Sequence, residues 1–439
     1  MDVGERGEPN RPDPVAEDRA GPGRMGALRL LRHNTAFRSL WSSRVISFTG
    51  DSLSLVALML HVAGSTGQAL AVSLLLLVGD FAPALLGPLT GALSDRFDLQ
   101  RVMVLCEVMQ GALLLLIALT LPPLPVLLAL VGVRAVAGQV FQPASRTAVP
   151  ALVPGRDLET ANSTLGFGTN AAEALGPLVA AALLPFVGIR GVLLIDAASF
   201  LLSAGVLVFL PKLPPVATEG GGPPVSLLQQ ARLGLGYIVS APAVRVIALG
   251  FCTVVAFNGV DDVALVVLAK DTFRAGDPAV GLLLGAVGVG LVCGYGLLAR
   301  YGARAAMPVL LVLGFAVSSV GNLLTGLAWA VSAALAMQTV RGLGIAAMDV
   351  ATNTLLQRVV PPGMLGRVFG NLYGAIGVAA ALSYVGGGLL LDATSAPVTL
   401  MVAGAGGTLA TLGVALTLPG ALRKSLAARD TSKSDSAST

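Results

Sequence analysis

Charge is scarce in this 439-residue chain. Asp, Glu, Lys and Arg make up 12% of it, and mean hydropathy is +0.82. So few charges do not cover a water-soluble protein of this length. Histidine is nearly absent, and His33 and His61 stand too far apart for a metal site. The three cysteines, Cys106, Cys252 and Cys293, fall inside apolar runs, with neither metal-ligand spacing nor a disulfide framework. No metal and no other cofactor is therefore expected. A Gly-Lys-Ser/Thr phosphate loop is missing, which speaks against ATP-driven chemistry. No nucleophile–His–acid set stands in a soluble domain, so an enzyme is not expected. The net charge of +4 says little about partners, and nucleic acid is not among those expected. Aromatics, at 5%, are few enough to make any internal cavity mainly aliphatic.

What is present is a series of long apolar runs. They lack the alternating polarity of barrel strands, and each is long enough to cross a bilayer as a helix. The 54 glycines suit helices packed closely in lipid. The spans expected are 40–64, 69–93, 102–121, 125–147, 160–184, 189–210, 245–269, 278–299, 305–327, 330–356, 368–391 and 396–418, twelve in all. The fold class is thus an all-α membrane protein of twelve transmembrane helices in two six-helix bundles, 36–210 and 244–420. Residues 1–35 and 421–439 read as polar, disordered tails. Between the bundles, 211–243 opens with Pro-Lys-Leu-Pro-Pro and a Gly/Pro-rich linker. It then becomes amphipathic from Val225 to Val239, as a helix lying on a membrane surface would.

Arginine and lysine divide unevenly between the two sets of connections. One set holds Arg96, Arg101, Arg146, Arg156, Arg300, Arg304, Arg358 and Arg367; the other holds only Arg190, Lys270 and Arg274. The linker residues Lys212 and Arg232 and the terminal Arg24, Arg29, Arg32, Arg423 and Lys424 fall on the richer side. The positive-inside rule then makes both termini and the linker cytoplasmic. Arginine outnumbers lysine about six to one, which with abundant Ala and Gly suggests a GC-rich bacterial genome.

The halves repeat. With Arg134 set on Arg341, an offset of 207, Ala144 meets Ala351, Thr147 meets Thr354 and Pro154 meets Pro361. Arg96-Phe97 and Arg300-Tyr301 occupy matching loops at a nearby offset. Parallel six-span repeats about an axis normal to the membrane describe one large transporter architecture.

From Phe37 to Pro419 the chain resembles the major facilitator superfamily. Gly91-Ala-Leu-Ser-Asp95-Arg96-Phe-Asp98-Leu-Gln-Arg101 is similar to that family's loop motif, with Asp98 where the family has Gly. The resemblance implies a cytoplasmic gate in which Gly91 allows close helix contact. Asp95 would accept hydrogen bonds from a helix N-terminus of the other half, and Arg96 and Arg101 would hold the loop at the anionic surface. In the second half Ala299 replaces the aspartate. Arg134-Ala-Val-Ala-Gly138 matches part of a proton-coupling motif of drug antiporters but lacks its Gln. Gly176-Pro177 matches the centre of the antiporter motif. Four strings narrow the branch: Ser47-Phe-Thr-Gly50-Asp51, Phe141-Gln-Pro143-Ala-Ser-Arg146, Ile195-Asp196-Ala-Ala-Ser-Phe200 and Gly366-Arg367-Val-Phe-Gly-Asn371. Together they resemble bacterial enterobactin exporters and macrolide efflux proteins.

Ionisable groups deep in lipid are costly and face a cavity or a partner. Asp51 lies midway along span one and Arg134 in the outer half of span four; in the family both spans border the central cavity. Proton coupling by Asp51, with Arg134 as its partner, is one reading. A fixed ion pair, or a cap at a helix break after Gly50, is the other. The substrate-cavity candidates are Glu173, Asp261, Asp262, Arg341 and Asp349. Asp261 and Asp262, being adjacent, point about 100° apart on a helix, so at most one faces a cavity. Glu107 and Asp196 read as structural. Gly176, Pro177 and Gly386 are either bending points or small residues for tight packing. The resulting expectation is a monomeric exporter of hydrophobic, drug-like small molecules from a bacterial cytoplasmic membrane, driven by proton antiport. A siderophore-specific exporter or a nutrient importer would share the fold. A non-transporting receptor would be expected to lose the midplane charges and the gate motif.

Overall fold

Apolar chain in lipid must satisfy every backbone N–H and C=O internally, and a helix does so within one segment. The computed structural model describes residues 26–66, 96–214, 226–275, 277–301 and 306–437, with short stretches between 71 and 90. Among these residues there is no strand. Among the same described residues, ten helices are long and apolar enough to cross a membrane, beginning with Thr35–Thr66, Leu99–Thr120 and Leu124–Leu152 and ending with Ala396–Lys424. Span two falls largely outside the described residues. Span five is the first limb of Leu158–Leu207, which turns into span six at Gly188. Gly188 has φ 64°, a backbone conformation that a side chain disfavours. The result is the expected all-α fold, twelve membrane helices in two pseudo-symmetric bundles.

Each half has its own apolar core. In the first, Leu30, Phe37, Met103, Phe141 and Leu207 fill the end nearest the linker, and Leu58, Leu114, Leu127 and Phe200 fill the far end. In the second, Phe251 meets Phe315 edge-on at 6.0 Å amid Leu311, Leu356 and Phe369. Small residues allow helices to touch along their backbones. A Cβ on Gly290 would collide with the Thr339 carbonyl, and one on Gly342 would collide with the Val287 carbonyl, so spans eight and ten meet with no side chain between them.

We call the face that gathers the start of span one, the ends of spans four and six and the linker the tail side. Asn34 Nδ2 donates to the Leu152 carbonyl there at 2.7 Å, and the Leu99 N–H donates to the Leu213 carbonyl at 3.0 Å. The amphipathic linker stretch is the helix Leu227–Ser240, capped by Ser226. Its face Ala231, Gly234 and Ile238 packs on span eleven, where Asn371 donates to the Ala231 carbonyl, while Leu228, Leu235 and Val239 are exposed.

Two expectations need correction. Part of the segment read as a disordered N-terminal tail is the helix Ala27–His33, held by burial of Leu30 in the first core. Residues 1–25 lie outside the described part. The last helix runs from Ala396 to Ala437, through the segment read as a disordered tail. Ala, Leu, Arg and Lys after Pro419 are strong helix formers and extend the span.

Candidate functional site

The helix Thr35–Thr66 passes unbroken through Gly50 and Asp51. This removes the helix-break cap and leaves Asp51 presenting its carboxylate from mid-span. Arg134 Nη1 donates to Asp51 Oδ1, joining spans one and four as an ion pair. The two side chains differ in access: 38% of Asp51 is exposed against 14% of Arg134. Arg134 also lies over the Phe200 ring of span six, 6.0 Å from its centroid. Gly50 allows span six to come close, because a Cβ there would collide with Asp196 and Ser199.

The second half holds a related pair. Arg341 Nη1 is bonded to Asp261, and both side chains are buried, at 5% and 10% exposure. Span seven is interrupted: Pro242–Asn258 ends, Gly259 and Val260 form a turn, and Asp261 begins a short helix to Val267. Asp262 points elsewhere, exposed and near the Tyr384 hydroxyl at 3.4 Å. Around Arg341 runs a ladder of neutral polar groups. Arg341 Nη1 donates to Gln338 Oε1 at 3.3 Å, Gln338 Nε2 to Asn322 Oδ1 at 3.3 Å, Asn322 Nδ2 to Asn258 Oδ1 at 2.9 Å, and Asn258 Nδ2 to Ser319 at 3.1 Å.

Asp349 does not join Arg341. It sits two turns nearer the tail side and faces the other half. Tyr295 Oη and Asn353 Nδ2 each donate to it at 2.9 Å, and Arg146 of span four approaches to 3.6 Å. Further bonds join the halves nearby. Arg358 meets Glu159 at 2.6 Å, Asn162 donates to Gln357 at 2.6 Å, and Gln357 donates to the Arg146 carbonyl at 3.0 Å. Gly166 lies flush on the Tyr295 ring. The halves are closed against each other on the tail side.

Other candidates fall outside these clusters. Glu173 is exposed on span five. Gly91 and Asp95 of the gate motif lie outside the described residues. Arg96 is exposed beside Phe97. Asp98 caps the third span by accepting the Arg101 N–H at 3.0 Å, which accounts for an aspartate at a position held by glycine in the family. At Gly176 and Gly386 the helices keep their geometry; Gly176 packs on Ser52, and Gly386 has open space beside it. Pro177's side chain is outside the described part.

Sequence reasoning missed Arg44, which is buried and donates to Ser145 at 2.8 Å and Gln142 at 3.1 Å. Arg44, Ser47, Asp51 and Ser54 recur at helical spacing along span one, a polar stripe that was readable. Arg146 was counted as a loop charge. The helix continues to Leu152, which places Arg146 inside it and against the other half.

Two bundles of helices with charged pairs deep in each and a polar closure on one side define a secondary-transporter architecture. The family model described as Major Facilitator Superfamily matches residues 40–309, and the chain belongs to that superfamily of membrane transporters. It is 26% identical over 391 residues to the uncharacterized MFS-type transporter YfiS of Bacillus subtilis (strain 168), covering 85% of this chain and 91% of that one. It is 23% identical over 183 residues to macrolide efflux protein A of Streptococcus pyogenes, covering 40% of this chain and 45% of the relative. Among solved structures, the human organic anion transporter MFSD10 superposes with a TM-score of 0.72 at 17% identity, covering 87% of this chain and 99% of that one. A bacterial homologue of the iron transporter ferroportin, in an outward-facing state, gives 0.70 at 18% identity, covering 86% and 98%. Both likenesses concern the fold.

Proposed function

We propose that this protein exports hydrophobic, drug-like small molecules across the bacterial cytoplasmic membrane in exchange for protons, as a monomer working by alternating access. The observation that carries this reading is the Asp51–Arg134 pair: a partly exposed carboxylate held by a guanidinium in mid-span. An ion pair in lipid is stable while paired, and protonation of Asp51 releases Arg134. Proton binding thereby changes the contacts between spans one and four, which is what coupling to a conformational cycle requires. The likeness to a macrolide efflux protein supports export. With the tail side cytoplasmic, by the arginine distribution, the closure through Asp349, Arg146, Glu159 and Arg358 shuts the path to the cytoplasm. Substrate would enter between the halves, where the exposed carboxylates Asp262 and Glu173 would meet cationic compounds, while Asp261 stays paired with Arg341.

The test uses inside-out vesicles carrying the wild type or Asp51→Asn, with a pH-sensitive dye reporting the proton gradient as cationic dyes, macrolides and siderophores are added. Collapse of the gradient in wild type, lost in Asp51→Asn, is the expected result. Collapse that survives the substitution removes Asp51 from the role. No response to any compound refutes proton-coupled export of this class.

A further inference from the structure

Among the described residues, three carboxyls and two guanidiniums share the interior of the first half: Asp51, Glu107 and Asp196 with Arg44 and Arg134. Arg134 is bonded to Asp51, and Arg44 is bound by Gln142 and Ser145. Asp196 and Glu107, on spans six and three, are 0% and 1% exposed, and among the described residues neither makes an ion pair. Ser199 donates to Asp196 Oδ1 at 3.1 Å and Ser54 faces the same carboxyl, yet Oδ2 has no partner. Glu107 faces the Ser203 hydroxyl, which shares a 2.7 Å hydrogen bond with Ser43, yet its Oε2 has no partner. Among the described residues, the charged or titratable groups facing Asp196 are Asp51, Arg134 and Glu107. Those facing Glu107 are Arg44, Asp51 and Asp196, with Cys106 beside it on its own helix.

Geometry makes these groups one set. Asp196, Ser199 and Ser203 stand at i, i+3 and i+7 on the face of span six turned to span one, where they meet Gly50 and Ser43. From Asp51 to Ser43 the set extends about 12 Å along span one. Toward the tail side it ends against Phe37, Leu40, Met103 and Leu207, all fully buried. Arg146 lies beyond Arg44 and is balanced by Asp349, so three ionised carboxylates facing Arg44 and Arg134 would leave one negative charge buried without a counter-charge, at a cost of several kcal/mol. One proton shared by the set removes that charge.

We propose that the coupling proton is held by this three-carboxyl set, with Asp196 and Glu107 as further proton-binding residues behind Asp51. The inference rests on the antiport reading above. Asp51, the exposed member, exchanges with water. A proton on its carboxyl passes to the Asp196 carboxylate, leaving Asp51 ionised and again paired with Arg134. Glu107 is the deeper alternative acceptor. The substrate path between the halves is then separate from the proton store inside one half.

The proton itself is the probe. Infrared spectra of the purified full chain in lipid, in water and in deuterium oxide, are recorded through a pH titration for wild type, Glu107→Gln and Asp196→Asn. The expected result is a protonated-carboxyl stretch in wild type, shifted in deuterium oxide and reduced in each variant. In proteoliposomes, pH-driven ethidium or erythromycin exit should then fall about 5- to 150-fold in each variant. Exchange of the same compound at zero gradient should persist, which shows that the variants fold. A carboxyl band unchanged in both variants overturns the proposal. So does a lost band with pH-driven exit intact. Compound exit in wild type that ignores the pH gradient overturns the antiport reading itself, and the set then has no coupling role.

Discussion

The two halves place an arginine at matched points of their fourth spans and answer it differently. Moving Asp51 by the repeat offset lands on Asn258, an amide. The carboxylate that meets Arg341 comes instead from Asp261, three residues on and across the break at Gly259–Val260. In the first half the pair is partly exposed and backed by two further buried carboxyls. In the second it is sealed and surrounded by Gln338, Asn322, Asn258 and Ser319, each satisfied by its neighbour. Amides and hydroxyls do not change charge over the physiological range, and a complete neutral network rigidifies what it surrounds. Duplication supplied two equivalent arginines; their surroundings suit one to a charge that changes and the other to a charge that stays.

Substitutions in the two pairs should therefore fail in opposite ways, and these effects should be the largest. Asp261→Asn leaves Arg341 buried without its counter-charge, at a cost of about 3–5 kcal/mol. It should show as a large drop in the melting temperature of the purified protein. Asp51→Asn, at a partly exposed position, should melt close to wild type while pH-driven efflux falls about 5- to 150-fold. A stable Asp261→Asn that has lost only its pH coupling would make the halves equivalent and end the comparison.

Smaller effects are expected where the halves meet. Asp349→Ala removes the acceptor for Tyr295 and Asn353 and the counter-charge for Arg146. Hydrogen bonds to a charged group contribute about 1.5–3 kcal/mol each, so losing even one should raise opening on the tail side about tenfold or more. The labelling rate of a cysteine placed at Ser163, buried at that closure, by a membrane-impermeant maleimide reads it. An unchanged rate would mean that the closure is maintained by helix packing such as Gly166 on Tyr295, with the polar contacts secondary.

Asp51, Arg134 and Arg341 were legible in the sequence because a charge inside an apolar run is conspicuous, and the repeat tied the two arginines together. The partner of Arg341 was not, since the repeat pointed to Asn258 and the break at Gly259 left no pattern in hydropathy. The amide ladder and the Ser43–Ser203 bond were also invisible: their residues barely alter hydropathy, and the two serines lie 160 positions apart. Arg146 was misplaced because a charge at the end of an apolar run looks like a loop. Its helix goes on for six more residues and presents it to Asp349. Contacts between the halves join residues 195 and 211 positions apart, and a linear pattern does not carry them.

The smallest predicted difference concerns how each half starts its third helix. In the first half Asp98 takes the Arg101 N–H and so satisfies one of the four unpaired donors of Leu99–Thr120. The matching helix of the second half, Met307–Gly326, starts after Ala306, which has no side-chain acceptor, and relies on Pro308 in its first turn. Asp98→Ala should cost about 1 kcal/mol of stability, the usual loss for an N-cap, and the effect should be confined to the first half. Ala306→Ser should move the second half the other way by a similar or smaller amount. Hydrogen exchange read separately for the two helix starts distinguishes the halves where a global melting curve would average them. If Asp98→Ala leaves exchange at residues 99–102 unchanged, the aspartate is not acting as a cap. Its place in the loop motif would then have to be explained by contacts with the other half.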